Sequence, residues 1–342
     1  MSARESIIPV FVPHWGCPND CVFCNQRRIT GQREPATAQT VTDAMKQAAA
    51  LPSGAKRQLA FYGGSFTAIP EEQQEALLAA AKTYLDTGEL TSIRLSTRPD
   101  AIDAVVLRRL KHYGVQTIEL GAQSMDERVL ALAGRGHTAA DVEKASWAIK
   151  AAGFQLILQM MTGLPGDSDE GAVETAKKLI ALRPDGVRIY PTVIVKDTAL
   201  CDLWRAGLYR EHSVEDAVRV CAKILPLFEA AGIPVIRLGL NPTEELSGGD
   251  AVGGAYHPAL GELVKSRLYR NKAETLLADS EPGMRVTLGV NSRELSQMIG
   301  QHRDNLCWLR EKYGLRELKI VPAPVKSGEI CRLAVEKPAD MV

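Results

Sequence analysis

The chain lacks several features that would place it in a class at once. Its 342 residues include 41 lysines and arginines and 41 aspartates and glutamates, so the composition does not indicate a strongly basic surface. A local basic face can still hide inside a neutral total, so nucleic acid is not excluded. No stretch approaches the roughly 18 apolar residues that cross a bilayer, and the first residues lack a basic segment followed by an apolar run. These absences predict a cytoplasmic protein with no signal peptide and no membrane partner.

The sequence also lacks an even, regularly spaced set of cysteines. Of its seven cysteines, Cys17, Cys21 and Cys24 lie within eight residues and the other four are scattered. Such a set is a poor disulfide framework and is typical of a reducing compartment. The scattered four are expected to be small buried apolar residues. Function is therefore sought in the clustered three.

Short apolar runs alternate with alanine- and leucine-rich helical segments along most of the chain. The runs predict strands at residues 7–12, 58–62, 92–96, 116–120, 155–160 and 186–190. Strands that alternate with helices indicate right-handed βαβ units and a parallel sheet. These units, with 235–240 as a candidate seventh, are too few for a closed eight-stranded barrel. We expect an α/β fold whose residues 1–240 form a partial (β/α)6 parallel barrel, open along one side.

Each predicted strand ends in a polar or glycine-rich cluster. The clusters occupy residues 13–24, 63–67, 97–100, 121–124, 162–167 and 191–192. Parallel barrels place their active sites at the carboxyl ends of the strands. The clusters are therefore expected to converge on one site.

The three clustered cysteines follow the first predicted strand directly. Thiolates at a C-x3-C-x2-C spacing can each hold one iron of a cubane [4Fe–4S] cluster, which leaves the fourth iron without a protein ligand. An open coordination site is what a reactive cluster needs. The pattern resembles that of radical S-adenosylmethionine (SAM) proteins, in which the amino and carboxylate groups of SAM occupy the open site. That resemblance implies reductive cleavage of SAM to a 5′-deoxyadenosyl radical, with electrons from a flavodoxin or ferredoxin type of reductant.

The alternative for the same cysteines is a structural zinc site with His14 as the fourth ligand. Structural zinc sites usually combine one cysteine pair with a second pair further along the chain. No second pair is present here, and His14 lies only three residues before Cys17. The spacing therefore favours the iron–sulfur cluster and SAM as cofactors.

Further segments resemble, in order, the radical SAM domain of the Elongator catalytic-subunit family. They are residues 62–67 (YGGSFT), 96–100 (STRPD), 119–124 (ELGAQS), 135–138 (RGHT), 161–166 (MTGLPG) and 189–192 (IYPT). The family's acetyltransferase domain has no counterpart in this sequence. The cysteines of that family are spaced more widely than Cys17, Cys21 and Cys24 are here, and its members often carry a glutamate at the position of Ser96. The scaffold is therefore carried over, whereas the acetyl-CoA-dependent wobble-uridine reaction is not.

The resemblance implies a SAM pocket at the strand ends. Gly63, Gly64 and Ser65 would present backbone groups to the SAM amino group, because glycine permits close backbone approach. The aromatic residue between the last two cysteines, Phe23, would pack near the adenine. Taken singly, the two glycines could equally form an ordinary turn between a strand and a helix.

Similarity to this family and to oxygen-independent coproporphyrinogen oxidases implies the rest of the pocket. Gln123, Arg135 and Gln159 would line the ribose and the carboxylate of SAM. Arg135 suits the carboxylate because a guanidinium binds it bidentately. Gly163 and Leu164 would shape the adenine pocket. Alone, Arg135 could be a surface charge, so the ordered coincidence of these residues carries the prediction.

Arg188 and Tyr190 alternate with Ile189 on the sixth predicted strand, so they share one side of it. If that side is the barrel interior, both face the substrate and are candidate catalytic residues. The alternative is an ordinary hydrogen-bonded pair in the barrel core.

Residues 241–257 are rich in glycine and polar residues and are expected to form a linker loop. Residues 258–342 are expected to form a small α/β unit. In it, residues 258–277 predict a helix and residues 285–321 the order strand, helix, turn, helix, strand. Residues 298–306 resemble the core of a KH RNA-binding module, whose G-x-x-G loop clamps the nucleic-acid backbone. Here the loop ends in Arg303 instead of glycine, and residues 261–342 hold 14 basic against 11 acidic side chains. The alternative is a lid over the open barrel.

The leading hypothesis is a radical SAM enzyme that modifies a nucleotide of tRNA or another RNA. A second hypothesis is a radical SAM enzyme that acts on a small metabolite or a protein side chain. A third is a non-enzymatic RNA-binding or sensor protein with a structural metal site.

Overall fold

The computed structural model describes residues 5–12, 17, 20–25, 34–50, 56–241 and 246–337. The chain divides into two compact units, residues 1–220 with 224–258 and residues 221–223 with 259–342. In the part of the chain that the structure describes, no helix is long and apolar enough to cross a membrane.

The first unit is built on a parallel sheet. Its strands are β1 (Glu5–Phe11), β2 (Lys56–Tyr62), β3 (Ser92–Thr97), β4 (Val115–Gln123), β5 (Gln155–Thr162), β6 (Gly186–Pro191), β7 (Val193–Val195), β8 (Val235–Leu238) and β9 (Ala251–Gly254). The main sheet has the order β1-β2-β3-β4-β5-β6-β8, and every neighbouring pair in it is parallel. The predicted partial barrel is confirmed, and the candidate seventh strand is present.

Helices connect the strands of this sheet. They are α1 (Ala38–Ala49), α2 (Glu71–Asp86), α3 (Ala104–His112), α4 (Glu127–Leu132), α5 (Ala139–Ala151), α6 (Asp169–Ala181), α7 (Ala199–Arg205) and α8 (Val214–Ala230). Several begin at side chains that satisfy the free backbone donors of the first turn. At α5, the Thr138 side chain accepts from the Asp141 N–H, and the Asp141 carboxylate accepts from the Thr138 N–H. This reciprocal cap fixes where the helix starts.

The two faces of the parallel sheet differ in chemistry. Ile118 and Leu120 on β4 are fully buried, as the helix-covered face requires. The residue between them, Glu119, points to the opposite face, because successive side chains of a strand alternate. Toward the amino ends of the strands, polar pairs occupy the same inner face, such as Thr117 on β4 with Gln155 on β5 at 2.9 Å. The barrel interior is therefore polar.

The segment expected to be a linker, residues 241–257, contains a strand. In it, β9 pairs antiparallel with β7. The glycines that favoured the prediction of a loop instead allow two backbones to lie close together. Gly254 has φ +80°, and a Cβ there would lie 2.7 Å from the Thr192 carbonyl oxygen.

The second unit has a mixed sheet with helices on it. Its elements are α9 (Leu260–Leu277), β10 (Arg285–Val290), α10 (Leu295–Ile299), α11 (Asp304–Lys312), β11 (Glu317–Pro322) and β12 (Ile330–Glu336). Strand β10 lies between β11, to which it is parallel, and β12, to which it is antiparallel. The predicted order of strand, helix, turn, helix and strand is confirmed, and β12 adds a third strand.

The turn between α10 and α11 depends on Gly300. This residue has φ +82°, and a Cβ on it would lie 2.9 Å from the backbone nitrogen of Asn305. The buried Asn305 side chain donates to the carbonyl oxygens of Ser266 and Met298 at 2.8 and 3.2 Å. These bonds hold the turn against the rest of the unit.

Removal of a central outer-face side chain should destabilise the barrel. Leu120→Ala is expected to lower the free energy of unfolding by about 2 to 5 kcal/mol, because it leaves a cavity between sheet and helices. Leu208→Ala makes the same change at a side chain that is 77% exposed and should cost much less. Urea unfolding of both variants measures the difference, and equal losses would contradict the assigned packing.

Candidate active site

The cysteine loop is held on two sides. The Val22 N–H donates to the Ala133 carbonyl at 3.1 Å, in the turn after α4. The Val22 carbonyl accepts from the Leu200 N–H at 2.7 Å, in the first turn of α7. Because both bonds are made by Val22, which directly follows Cys21, they fix the position of the cysteine loop.

All seven cysteines lie among the described residues, and none forms a disulfide. Cys21 is buried, and Cys17 and Cys24 are half-buried. Within the described ranges, no three histidine, cysteine, aspartate or glutamate side chains are already arranged around a metal position. The convergence of the three thiols on one cluster stays a prediction. His14, the alternative zinc ligand, lies outside the described residues.

Arg135 links the cysteine loop to the sheet. Its Nη1 lies 3.2 Å from the Cys21 Sγ, and its Nη2 donates to the Gly121 carbonyl at 2.9 Å. Arg135 is buried, so its charge acts on the thiol with little screening. Burial raises the pKa of the Cys17 thiol, and Cys21 raises it further, whereas Arg98 and Arg135 oppose this rise. The predicted SAM residue Arg135 therefore lies directly at the predicted cluster site.

The loop after β2 is braced through Ser65. Gly63 has φ +87°, which favours glycine, and Gly64 follows it at half-buried depth. The fully buried Ser65 hydroxyl lies 3.0 Å from the Thr97 hydroxyl and accepts from the Arg98 N–H at 3.2 Å. The Ser65 side chain thus joins the loop after β2 to the loop after β3. The backbone at Gly63 and Gly64 is therefore the part of the loop after β2 that could contact a ligand.

Gln123 ends β4 in an unusual conformation. Its φ is +63°, and the register with β5 shifts between Gly121 and Gln123. The residue is 9% exposed, and its Oε1 has no hydrogen-bond partner. A buried acceptor without a donor is costly, so this atom is suited to a donor on a bound molecule.

His137 is a buried residue of the same strand-end region to which the sequence assigned no role. Its Nε2 lies 3.2 Å from the Ala122 carbonyl, and because a carbonyl only accepts, this nitrogen carries the proton. Burial, with the nearby Arg135 charge, lowers the pKa of His137 to about 4. The ring is therefore neutral at physiological pH and supports the backbone between Gly121 and Gln123.

An apolar wall lies beside the cysteine loop. Leu164 packs against Val129 and Ala133, and the half-buried Phe23 and Met161 pack against this group. The structure thus brings together Phe23 and Leu164, two residues predicted for the adenine pocket. A flat apolar wall is what an adenine ring requires.

The loop after β5 is braced by residues that the sequence analysis missed. The Tyr209 hydroxyl donates to the Gly163 carbonyl at 2.6 Å, and the Gly163 N–H donates to the Asp167 carboxylate at 2.9 Å. His212 Nε2 lies 3.1 Å from the Thr162 hydroxyl. Gly163 has φ +76°, and a Cβ there would overlap the His212 ring. Gly163 is therefore required at this position.

A second cluster of polar side chains fills the barrel interior around Glu119. The Glu119 side chain has no solvent exposure and accepts from Arg94 at 2.9 Å and from Tyr62 at 3.2 Å. Gln159 donates to it at 2.9 Å and Arg188 Nη2 at 3.0 Å, and the Arg188 Nε lies 2.9 Å from its Oε2. Gln159, predicted to line SAM, is thus engaged with the interior carboxylate. Glu119 was missed as a site residue, although a lone acid in an apolar strand was the available signal.

Arg188 and Tyr190 do face the interior. Arg188 donates to the Tyr62 hydroxyl at 2.9 Å, and its Nη1 lies 3.4 Å from the Tyr190 hydroxyl. Burial raises the pKa of Tyr62 to about 12, and Glu119 contributes to this rise. Burial also raises the pKa of Tyr190. Both tyrosines therefore stay protonated and can donate hydrogen bonds.

Loss of the interior carboxylate should destabilise the barrel. Glu119→Gln keeps the shape of the side chain but leaves two buried guanidinium groups uncompensated, which should lower the free energy of unfolding by about 3 to 5 kcal/mol. Glu143→Gln, on the exposed face of α5, is the matched control and should cost almost nothing. Urea unfolding at low ionic strength tests this, and a wild-type stability for Glu119→Gln would refute the charge assignment.

The buried neutral state of His137 predicts a pH dependence. Below about pH 6.5 the unfolded chain binds a proton at this residue, whereas the folded chain does so only near pH 4. Stability is therefore lost as the pH falls through this window, on the order of 1 kcal/mol by pH 5.5. His137→Gln should lose this part of the pH dependence. Unfolding at pH 7.5 and pH 5.5 measures it, with the exposed His112→Gln as a control that should behave like wild type.

Two family models match the chain. Residues 12–179 match the Radical SAM superfamily, and residues 184–270 match the Radical_SAM C-terminal domain. The cysteine loop and the ends of β2 to β5 fall within the first match, and the end of β6 falls within the second.

Curated relatives resemble part of the chain. Elongator complex protein 3 of Homo sapiens is 31% identical over 185 residues, which covers 48% of this chain and 34% of that protein. A tRNA uridine(34) acetyltransferase of Methanocaldococcus infernus is 27% identical over 185 residues, covering 48% of this chain and 35% of that protein. The chain spans about a third of the length of these relatives.

A solved structure of Methanocaldococcus infernus Elp3, with its first 46 residues deleted, superposes with a TM-score of 0.61 at 22% identity. The match covers 83% of this chain and 67% of that chain. It shows a common fold. Together with the family models, which extend from residue 12 to residue 270, it identifies the chain as a member of the radical SAM superfamily of enzymes.

Proposed function

We propose that this radical SAM enzyme modifies a nucleotide of tRNA or another RNA, with Cys17, Cys21 and Cys24 as the ligands of its [4Fe–4S] cluster. The superfamily uses such a cluster together with SAM. The observation that carries the proposed site is the contact of Arg135 with Cys21, because it joins a buried cation to the thiol set at the strand ends. The name of the Methanocaldococcus infernus relative supports RNA as the substrate class.

The residues present fit both cofactors. Cysteine thiolates are the usual ligands of iron–sulfur clusters, and none of these three is lost to a disulfide. The buried Gln123 Oε1 without a partner suits a donor on SAM, such as a ribose hydroxyl. Arg135 contacts both Cys21 and the carbonyl of Gly121, which lies two residues before Gln123 on β4.

When bound, the cluster and SAM supply a one-electron cleavage that yields methionine and a 5′-deoxyadenosyl radical. The chain's own residues bind, orient and shield. Phe23 and Leu164 offer an apolar wall for adenine, and the Gly63 and Gly163 loops allow close backbone approach. Arg135 supplies the guanidinium for a carboxylate.

The proposed catalytic residues Arg188 and Tyr190 lie in the barrel interior, where Arg188 contacts Glu119, Tyr62 and Tyr190. Both carboxylate oxygens of Glu119 contact one edge of the Arg188 guanidinium, so its position is fixed before substrate binds. Tyr190 keeps its proton and can donate a hydrogen bond to substrate. A polar interior can orient a polar substrate through hydrogen bonds from groups that are already fixed.

The second unit supports RNA as the substrate through its turn between α10 and α11. His302 and Arg303 are exposed there and adopt φ +50° and +67°. Arg303 stands where a G-x-x-G loop has its second glycine, and it keeps the left-handed conformation that glycine favours. Its guanidinium adds a positive charge at the position where such loops contact the nucleic-acid backbone. Electrons would come from a flavodoxin or ferredoxin type of reductant.

The cluster assignment is tested by anaerobic reconstitution followed by reduction in the presence of SAM. Wild type should bind about four irons per chain and release 5′-deoxyadenosine, whereas Cys21→Ala should do neither. Cys307→Ala, a half-buried cysteine of α11, is the matched control and should behave like wild type. A Cys21→Ala variant with a full cluster and undiminished cleavage of SAM would refute the assignment.

The substrate class is tested in the same assay with total tRNA or with a ribonuclease-treated extract. RNA as the substrate predicts that tRNA increases 5′-deoxyadenosine formation and that the treated extract does not. The opposite result would favour a small metabolite or a protein side chain.

A further inference from the structure

The barrel interior carries more positive than negative charge. Arg94 and Arg188 point inward, since both contact Glu119. Arg237 on β8 is in register with Arg188, and in-register neighbours on adjacent strands project from the same face of the sheet. Three guanidinium groups therefore share an interior with Glu119, the single carboxylate on β2 to β6 and β8.

The carboxylate of Glu119 has no capacity left for Arg237. Its Oε1 accepts from Arg94, Tyr62 and Arg188, and its Oε2 accepts from Gln159 and lies 2.9 Å from Arg188 Nε. The tyrosines of the interior stay protonated and add no negative charge. Charge complementarity in the described interior is therefore incomplete by two guanidinium groups.

Arg237 is held in place beside this cluster. Its Nε donates to the Gly239 carbonyl and its Nη2 to the Leu240 carbonyl, both at 2.9 Å. Like charges on neighbouring strands repel each other. An anion between Arg188 and Arg237 would convert that repulsion into attraction. Arg94, which is 8% exposed, also keeps an Nε without a hydrogen-bond partner.

We infer that Arg188 and Arg237 form an oxyanion subsite that receives a phosphate of the RNA substrate. The inference rests on the proposed function for the identity of the anion and on the sheet register for its location. Arg188 directs one N–H of its Nη1 at Tyr190, and Arg237 uses its Nε and Nη2 for backbone carbonyls, so each guanidinium keeps an Nη1 donor for a phosphate oxygen. Two such cations on adjacent strands can hold one phosphate from two sides. The subsite would place the substrate in the interior next to Tyr190.

The test measures binding of unfractionated tRNA to the reconstituted enzyme over a range of salt concentrations. Arg237→Gln should weaken binding about tenfold and reduce the slope of log affinity against log salt by about 0.7 to 0.9, the effect of one phosphate contact. Arg108→Gln, an exposed arginine of α3, is the matched control and should leave both unchanged.

Arg237→Lys separates the electrostatic role from a structural one. Lysine keeps the charge but cannot reproduce the planar contacts to the Gly239 and Leu240 carbonyls. A phosphate subsite predicts that this variant keeps most of the salt slope, whereas a structural role predicts that both variants fail alike. Equal failure, with lowered thermal stability in both, would overturn the inference.

Titration with inorganic phosphate and with malonate distinguishes the source of the anion. Binding of phosphate that is lost in Arg237→Gln supports the subsite. If that loss occurs while tRNA binding is unchanged, the subsite binds a small phosphorylated molecule. This outcome overturns the assignment of the subsite to RNA but leaves the cleavage of SAM unaffected. Tighter binding of malonate than of phosphate overturns the phosphate assignment. No change in any arm for Arg237→Gln overturns the subsite itself.

Discussion

The buried carboxylate of Glu119 is the interaction on which the barrel interior depends. A charge removed from water costs several kcal/mol unless donors surround it. Here the donors come from β2, β3, β5 and β6, so one carboxylate ties four neighbouring strands together around β4. The cluster occupies space that a closed barrel would fill with apolar side chains. A polar chamber in the middle of the sheet is the consequence.

The same strand connects this chamber to the cysteine loop. Glu119 and Gly121 are two residues apart on β4, which is about 7 Å along a strand. Glu119 holds Arg188 in the interior, and the Gly121 carbonyl holds Arg135, which reaches Cys21. A shift of β4 would therefore move the thiol contact and the interior arginine together. This rigid link is what a radical enzyme requires, because the reactive group and the substrate must meet at a fixed distance.

The strands could be predicted because each is a short apolar run between helical segments, and such a pattern is local. The contacts that organise the site are not local. Arg188 meets Tyr62 across 126 residues and Glu119 across 69, and Tyr209 reaches Gly163 across 46. Glu119, Tyr209 and His212 were therefore given no site role, since their neighbours in sequence do not show which distant residues they contact. Strand β9 was missed for another reason. Its glycines favoured the prediction of a loop, whereas in the structure they allow β9 to pair closely with β7.

The absence of net charge in the sequence conceals how the charges are distributed. Acidic and basic residues are equal in number over the whole chain, yet strands β2 to β6 and β8 direct three arginines inward against one glutamate. Composition averages over surface and interior, whereas a low-dielectric interior amplifies each charge it contains. Among the described residues of these strands, the excess of two guanidinium groups is therefore a more specific argument for the proposed anionic substrate than the +3 balance of residues 261–342. The proposal of an anionic substrate therefore depends on which strand positions face inward, and the total charge of the sequence does not reveal those positions.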